Sequence, residues 1–496
     1  MLLSELAGAN GTPERVDTPE QVDRAERVDI AGLAADSREV RPGYLFAALA
    51  GSRADGGAFI DDAIRHGAVA VLARPGIELE GRPVHLLTDI NPRRRFALMA
   101  ARFFGRQPEV AVAVTGTNGK SSVASFTRQI WRRLGHNAAS VGTLGVHGPD
   151  IDEPTSLTTP DPVTLYRTLT DLAGRGVDHV AVEASSHGLD QYRLDGLRLS
   201  AAAFTNLTRD HLDYHASVED YLYAKLRLFG EVMAPGGVAV LNAESVYFRE
   251  AEALCWARGH RIISVGLTRG DLRLTERKPL VNGQRLRVFY GGRDYPVILP
   301  LIGDFQAKNA LIAAALVIAC GDDPARALST LPQLAGVPGR MQLVTKHPSG
   351  APVFVDFAHT PHALETVLRN LRAHTMGRIV LVFGCGGDRD AGKRPLMGAV
   401  AAKLADRVIV TDDNPRSEDP ARIRAEILAA CPDAEEFDDR QAAIFAAMRD
   451  LKARDAVVIA GKGHERGQLV AGKVQPFDDT DQARRAVAAV GAQAND

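Results

Sequence analysis

Cysteine is scarce in this chain: Cys255, Cys320, Cys385 and Cys431 are its only four among 496 residues. None forms a CxxC pair, which excludes a readable zinc ribbon or disulfide framework and points to a reducing compartment. A basic excess is also missing. Lys and Arg total 59 against 61 Asp and Glu, a formal net charge of −2, whereas a dedicated nucleic-acid binder carries surplus positive charge. Long hydrophobic runs are absent too. The longest, Ala310 to Cys320, is well short of the roughly 20 residues that cross a bilayer. The opening MLLSELAGAN has Glu5 where a secretion signal carries positive charge. These absences leave a soluble cytoplasmic protein as the expectation, without nucleic-acid binding or membrane insertion. What is present is an ordinary globular balance, 45% hydrophobic and 24% charged. The length accommodates about three domains.

The apolar runs fall into three α/β groups. Residues 44–49 and 68–72 read as strands, with one helix at 59–66 between them, and 102–108 reads as a linker. A second group begins with the continuous apolar run 110–114, as expected of a buried parallel strand. A glycine turn and a helix over 121–134 follow, then strands at 179–182, 201–204 and 237–241. Residues 261–300 alternate in polarity and predict antiparallel strands; a helix over 305–319 follows. After a second linker at 336–339, strands at 378–383, 407–410 and 456–460 alternate with helices at 420–430 and 440–451. The predicted fold is α/β in three domains. Residues 1–107 form a small N-terminal unit, 108–336 a central doubly wound sheet of the P-loop ATPase kind, and 337–496 a Rossmann-like unit.

The sharpest local signal is residues 115–122, Thr-Gly-Thr-Asn-Gly-Lys-Ser-Ser, set between a predicted strand and a predicted helix. That is the context a phosphate loop requires. Gly116 and Gly119 let backbone N–H groups approach phosphate oxygens, and the helix adds its positive end. Lys120 is placed to bridge β- and γ-phosphates, and the Ser121 hydroxyl to ligate Mg²⁺. Val114 stands where the general motif has a glycine; a plain glycine turn is the competing reading. Ligands of open α/β sheets gather at the carboxyl ends of strands. Glu183 is predicted at one such end, Asn206 at another, and His211 follows in a run with two Asp and two His. Turn or capping roles compete for each. Lys225 alone reads as an ordinary exposed helix lysine.

Residues 115–122, 183–187, Asn206 to His211 and Lys225 together resemble the ATP-dependent Mur ligases. The C-terminal stretches 413–416 (Asp-Asn-Pro-Arg) and 461–465 (Gly-Lys-Gly-His-Glu) narrow that resemblance. They match the member that adds meso-diaminopimelate to UDP-N-acetylmuramoyl-L-alanyl-D-glutamate in peptidoglycan synthesis. The resemblance implies a monomeric enzyme with three substrates: ATP, this nucleotide-sugar dipeptide and meso-diaminopimelate. It places ATP on Gly116, Thr117, Asn118, Gly119, Lys120, Ser121, Ser122, Asn309, Arg340 and Asp356. It places the UDP end on Ser37, Ser52, Arg53 and Ala54, and the muramyl dipeptide on Thr158, Thr159, Ser185, Gln191 and Arg193. Diaminopimelate would meet Arg389, Asp413, Asn414, Pro415, Arg416, Gly461 and Glu465. Lys120, Glu183, His211 and Lys225 would be catalytic, with Lys225 carbamylated. As that carbamate it would hold Mg²⁺ together with Ser121, Glu183 and His211.

Three departures stand out: Gln306 where the family usually has Asn, Ala35 for Leu, and Tyr44 for Asp. Other readings remain at this stage. One is another ligase of the family, a lysine-adding member or folylpolyglutamate synthetase; another is a P-loop NTPase acting as a switch. A nicotinamide dehydrogenase is prompted by the glycines of 384–387, which lack full GxGxxG spacing. Cys385, in the third domain, reads as a buried structural thiol.

Overall fold

A computed structural model describes residues 1–8, 28–51, 55–79, 81–208, 210–211, 214–280 and 283–493. Its largest sheet has eleven strands. Five of them, Ala138–Gly142, His179–Glu183, Val110–Thr115, Ala201–Phe204 and Val238–Asn242, lie side by side and parallel in that order. Val110–Thr115 is buried from its second residue onward, which is why its sequence is continuously apolar rather than alternating. From this strand the chain winds first to one side, through 138–142 and 179–183, then to the other, through 201–204 and 238–242. The phosphate loop therefore sits at the switch point, where a doubly wound sheet leaves a crevice for ligands.

The stretch 261–300 needs a correction. Arg261–Gly266 runs parallel to Val238–Asn242; the antiparallel strands are Leu272–Leu280, Gly283–Tyr290 and Arg293–Leu299. The intervening helix Phe248–Ala257 carries the chain back to the starting edge, as a parallel crossover must. One face of Arg261–Gly266 is only half buried, so its alternation imitated a hairpin strand.

The N-terminal sheet is four parallel strands, Gly32–Ala34, Tyr44–Ala47, Ala68–Ala73 and His85–Thr88. The helix expected at 59–66 divides into a 3₁₀ turn, Gly56–Phe59, and a helix, Ile60–Arg65. Asp55 starts the turn by accepting from the Gly57 N–H at 3.0 Å. Residues 102–104, read as linker, are the last turn of helix Pro92–Phe104. Asn91 caps that helix and Pro92 opens it. Its apolar face, with Phe96 and Met99, joins one core with Ala111, Tyr166 and Leu169 of the central unit. Asp195, buried, ties the same region together by accepting from Arg94 and Arg227, each at 3.1 Å.

The third sheet orders Gln342–Lys346, Pro352–Asp356, Ala456–Ala460, Ile379–Phe383, Arg407–Val410 and Glu435–Glu436. All its pairs are parallel except the first. Helices Pro420–Leu428 and Arg440–Ala447 end earlier than their sequence suggests. Two separate apolar clusters line the faces of this sheet. No helix among the described residues is long and apolar enough to cross a membrane.

Candidate active site

The loop after Val110–Thr115 leads into helix Lys120–Leu134. Gly116 has φ +143°, and a Cβ there would lie 1.9 Å from Thr205 Oγ1. Gly119 has φ +89°, and its Cβ would lie 2.6 Å from Asn309 Oδ1. Both glycines are thus required by backbone conformation and by close approach. Asn206, after Ala201–Phe204, clamps the loop: its Oδ1 accepts from Asn118 N at 3.0 Å and its Nδ2 donates to Asn118 O at 3.0 Å. The Gly116→Ala protein should therefore bind ATP at least tenfold more weakly and lose about 2 kcal/mol of stability. Nucleotide titration calorimetry and urea unfolding check this; unchanged affinity would remove the loop as the phosphate cradle.

Glu183 is the last residue of its strand and is buried. Its carboxylate accepts from Ser121 Oγ at 3.0 Å, from Thr143 N at 2.9 Å and from Thr143 Oγ1 at 3.2 Å. Burial raises its pKa, against the pull of Lys120 and Arg340. Gly142 makes room for it, since a Cβ there would fall 2.1 Å from Glu183 Oε1. Thr143 escaped the sequence reading; the Gly-Thr at the end of Ala138–Gly142 was the available signal. Thr143 Oγ1 lies 2.9 Å from Thr158 Oγ1, which brings the predicted peptide-side residue to the same spot.

Lys120 turns back on its own loop, donating to Gly116 O and Thr117 O, both at 2.8 Å. Lys225, on helix Val218–Arg227, is not an exposed lysine. It is buried, donates to the same Gly116 O at 2.9 Å, and lies 4.3 Å from the Tyr221 ring centroid. Burial, and then the neighbouring Lys120 charge, push its pKa well below that of an ordinary lysine. Tyr221, which the sequence did not single out, joins this cluster through Thr117 Oγ1, 3.1 Å from its hydroxyl. His211 adopts φ +54° and sets its ring 4.9 Å from that of His187.

Among the residues expected to meet the muramyl dipeptide, Thr159 Oγ1 donates to Glu183 O at 2.8 Å and accepts from Ser185 N at 2.9 Å. Arg193 donates to Thr159 O at 2.6 Å and to Gln191 Oε1 at 2.7 Å. These four predicted residues form one hydrogen-bonded group beside the buried carboxylate.

A cavity of about 410 Å³ opens next to the loop, lined by Asn118, Gly119 and Asn309 on one side and by Arg340, Asp356 and His359 on the other. The second set belongs to the C-terminal stretch, so the pocket lies where the central and third units meet. Gln306 donates to Arg340 O at 3.1 Å, which gives the atypical residue a place bridging helix Asp304–Ala319 to the linker. Asp356 accepts from Met341 N at 2.6 Å and Ala358 N at 2.7 Å. Arg340 lies over Phe357, 4.5 Å from its centroid, and Phe357 packs on His464 at 5.3 Å.

Burial, reinforced by Arg340, holds the His464 imidazole down to about 4. An unfolded histidine titrates near 6.5, so the unfolded chain takes up a proton that the folded one refuses. This contribution to stability is complete above pH 6.5 and is lost as pH falls toward 4. Replacing His464 by Asn should flatten that acid-side loss by up to about 3 kcal/mol. Urea unfolding at pH 7.5 and 4.5 measures it; parallel pH curves for the two proteins would exclude His464 as the source.

In the third unit, Asn414 Nδ2 donates to Glu465 Oε2 at 2.8 Å. Lys462, fully buried and unassigned from sequence although it lies within the 461–465 motif, donates to both, to Asn414 Oδ1 at 3.0 Å and Glu465 Oε2 at 3.1 Å. Arg416 has φ +56° and donates to Gly387 O at 2.7 Å. Asp413 Oδ2 is buried without a hydrogen-bond partner among the described residues, and a Cβ at Gly461 would reach within 2.5 Å of it. Pro415 is buried, and its carbonyl would lie 2.0 Å from a Cβ at Gly387. Gly384 makes a second close backbone approach, a Cβ there falling 2.1 Å from Thr411 O, and a Cβ at Gly386 would meet the Arg416 guanidinium at 2.7 Å, so packing against 411–416 gives each of these glycines a role. Arg389 is exposed on the adjoining loop. Ser37 is buried in the N-terminal unit, where its hydroxyl helps hold the Asp62 carboxyl below its usual range. Ser52, Arg53 and Ala54 lie outside the described residues. Cys385 is buried with Sγ 3.6 Å from Met397 Sδ, and burial pushes its thiol up to about 12.

Sequence profiles described as Mur ligase family, catalytic domain, as Mur ligase middle domain, and as Mur ligase, glutamate ligase domain match residues 29–104, 114–317 and 339–463. The UDP-N-acetylmuramoyl-L-alanyl-D-glutamate--2,6-diaminopimelate ligase of Bradyrhizobium diazoefficiens is 53% identical over 464 residues, 92% of this chain and 95% of that one. A solved structure of a ligase of the same name superposes with a TM-score of 0.73 at 32% identity, covering 99% of both chains. The MurF ligase of Thermotoga maritima, solved in complex with ADP, shares the fold with a TM-score of 0.62 at 17% identity, over 93% of this chain and 97% of that one. The chain belongs to the Mur ligase family.

Proposed function

We propose that this protein is the ATP-dependent ligase that joins meso-diaminopimelate to UDP-N-acetylmuramoyl-L-alanyl-D-glutamate in peptidoglycan precursor synthesis. The observation that carries the reading is the convergence of Lys120, the Ser121–Glu183 pair and the buried Lys225 on one phosphate loop. That loop borders a cavity whose far wall comes from the third unit. An amine cannot displace oxide from a carboxylate, so the carboxyl must first acquire a leaving group. The D-glutamyl γ-carboxylate oxygen attacks the γ-phosphorus of ATP; the bond to ADP breaks and an acyl phosphate forms. The diaminopimelate amine then adds to the acyl carbon, loses a proton, and expels inorganic phosphate. Lys120 offsets phosphoryl charge during transfer. Positioning supplies much of the rate, since donor and acceptor rest on different units and closure of the third unit brings them together.

Ser121 and Glu183 present hard oxygen atoms, the donor type Mg²⁺ prefers. A buried carboxylate whose pKa is raised by burial is one that a cation would keep ionised. These two, with His211 and Lys225 as its carbamate, are the residues we assign to Mg²⁺, which when bound neutralises the transferring phosphoryl group. Thr158, Thr159, Ser185, Gln191 and Arg193 take the muramyl dipeptide, and the N-terminal unit with Ser37 takes the UDP end. Asn414, Arg416, Asp413, Gly461 and Glu465 take diaminopimelate, with Arg389 closing over it. Domain breaks near 107 and 337 and a cytoplasmic location belong to this reading.

Phosphate release with each substrate omitted in turn tests it. Release should require ATP, the nucleotide-sugar dipeptide and diaminopimelate together for turnover. Equal steady-state release without the amine would instead indicate an ATPase switch.

A further inference from the structure

At the opposite end of the central sheet from the phosphate loop, two histidines and two aspartates meet. We infer that His136, Asp178 and His179 form a binding site for a divalent transition-metal ion of the zinc class, with Asp322 as the outer carboxylate that orients His136. One donor atom from each of His136, Asp178 and His179 lies within 4.8 Å of the other two. The two imidazole centroids are 4.1 Å apart. His179 Nδ1 is 2.6 Å from Asp178 Oδ1, and His136 Nε2 is 2.9 Å from Asp322 Oδ1. A carboxylate behind a ligating imidazole sets its tautomer and ring orientation. Two imidazoles and one carboxylate suit zinc, nickel or copper rather than magnesium or calcium.

The backbone favours a cation in the same place. Helix Lys120–Leu134 ends two residues before His136, and helix Asp304–Ala319 ends three before Asp322. Their carboxyl ends concentrate partial negative charge there. The side chain of His136 is 31% exposed and that of Asp178 44%, so an ion reaches the cluster from solvent.

The placement gives the site a consequence. His179 opens the strand that ends at Glu183, and His136 follows the helix that begins at Lys120. Asp322 follows the helix that carries Asn309 to the phosphate loop. A bound ion therefore ties the far ends of three elements whose other parts build the catalytic centre. It acts as a clamp on the central unit and takes no part in the ligation chemistry.

Trp131 offers a local reporter, because its ring packs 4.9 Å from His179. The other tryptophan, Trp256, is 66% exposed and can be removed as Trp256→Phe. Trp131 lies about 16 Å along its helix from Lys120, beyond contact quenching by an ion in the catalytic centre. In the full-length Trp256→Phe protein, Ni²⁺ should quench the remaining fluorescence saturably, with one-to-one stoichiometry at micromolar concentration. Zn²⁺ should compete, excess Mg²⁺ should not, and EDTA should reverse the quenching. His136→Gln and His179→Gln should each weaken binding at least tenfold, while His136→Gln retains ligase turnover as evidence of folding. Zn²⁺ should raise the midpoint of thermal unfolding of the parent but not of His136→Gln. Quenching that does not saturate below millimolar Ni²⁺, or that is unaltered in a folded His136→Gln protein, would show paired His–Asp hydrogen bonds and no metal site.

Discussion

Replacing Lys225 by Arg is expected to lower turnover on the order of 10²–10³-fold while ATP affinity changes little. The substitution keeps a cation and a long side chain but cannot form a carbamate. In the structure Lys225 is buried and donates to Gly116 O beside Lys120. Burial and the Lys120 charge depress its pKa, so at neutral pH a larger share of it is free amine than for a surface lysine. Free amine is the form that attacks CO₂, giving a carbamate and one released proton. In the proposed reading that reaction would turn a second cation at the loop into an oxygen donor for Mg²⁺, and would remove the like-charge conflict with Lys120. Steady-state kinetics on protein prepared without CO₂, with and without added bicarbonate, measure the effect. The parent should regain activity with bicarbonate and Lys225→Arg should not. A fully active Lys225→Arg protein would mean that the lysine serves only to hold the Gly116 carbonyl.

The second large effect is expected at Arg416. Diaminopimelate ends in an amino-acid group bearing a carboxylate, whereas lysine ends in an ammonium alone. A guanidinium pairs with the first and repels the second. Arg416 is half buried, anchored at Gly387 O and held at φ +56°. In the proposed reading its neighbours would supply the complement: Glu465, which accepts from Lys462 and Asn414, would meet the distal ammonium. Arg416→Ala should reduce kcat/KM for diaminopimelate on the order of 10²–10³-fold, and Arg416→Lys should not restore it. Arg416→Asn is the backbone control, since Asn tolerates the left-handed conformation; it should lose activity as Ala does. Competition between diaminopimelate and L-lysine gives the readout. Equal use of lysine by the unaltered protein would defeat the assignment of this pocket.

The elements that sequence alone located well are those with one dominant signal. Val110–Thr115 and Ala456–Ala460 are buried on both faces, and so read as continuous apolar runs. The glycines of the loop were legible because backbone geometry leaves no other residue possible there. Arg261–Gly266 failed because a half-buried parallel strand alternates just as a hairpin strand does. Residues 102–104 were read as linker although the stop signal was there: Gly105, at φ +73°, caps the helix one residue after Phe104. Tyr221 was not legible as a site residue, since nothing in its own window marks its partner Thr117; Thr143 had only the Gly-Thr at its strand end, and Lys462 only its place in the 461–465 motif, to mark them.

Sequence by itself determined the α/β class, the phosphate loop with its lysine and hydroxyl, and the family resemblance, because local periodicity and motif spacing are properties of neighbouring residues. Tertiary structure decided what those residues experience. Lys225 passed from a plausible surface lysine to a buried one with a depressed pKa, because Gly116, Tyr221 and Lys120 surround it. The scarcity of cysteine leaves no zinc ribbon readable in the sequence. The fold nonetheless brings together two histidines 43 positions apart in sequence, His136 and His179. Burial and metal-donor geometry depend on contacts between distant segments, and those exist only once the chain has packed.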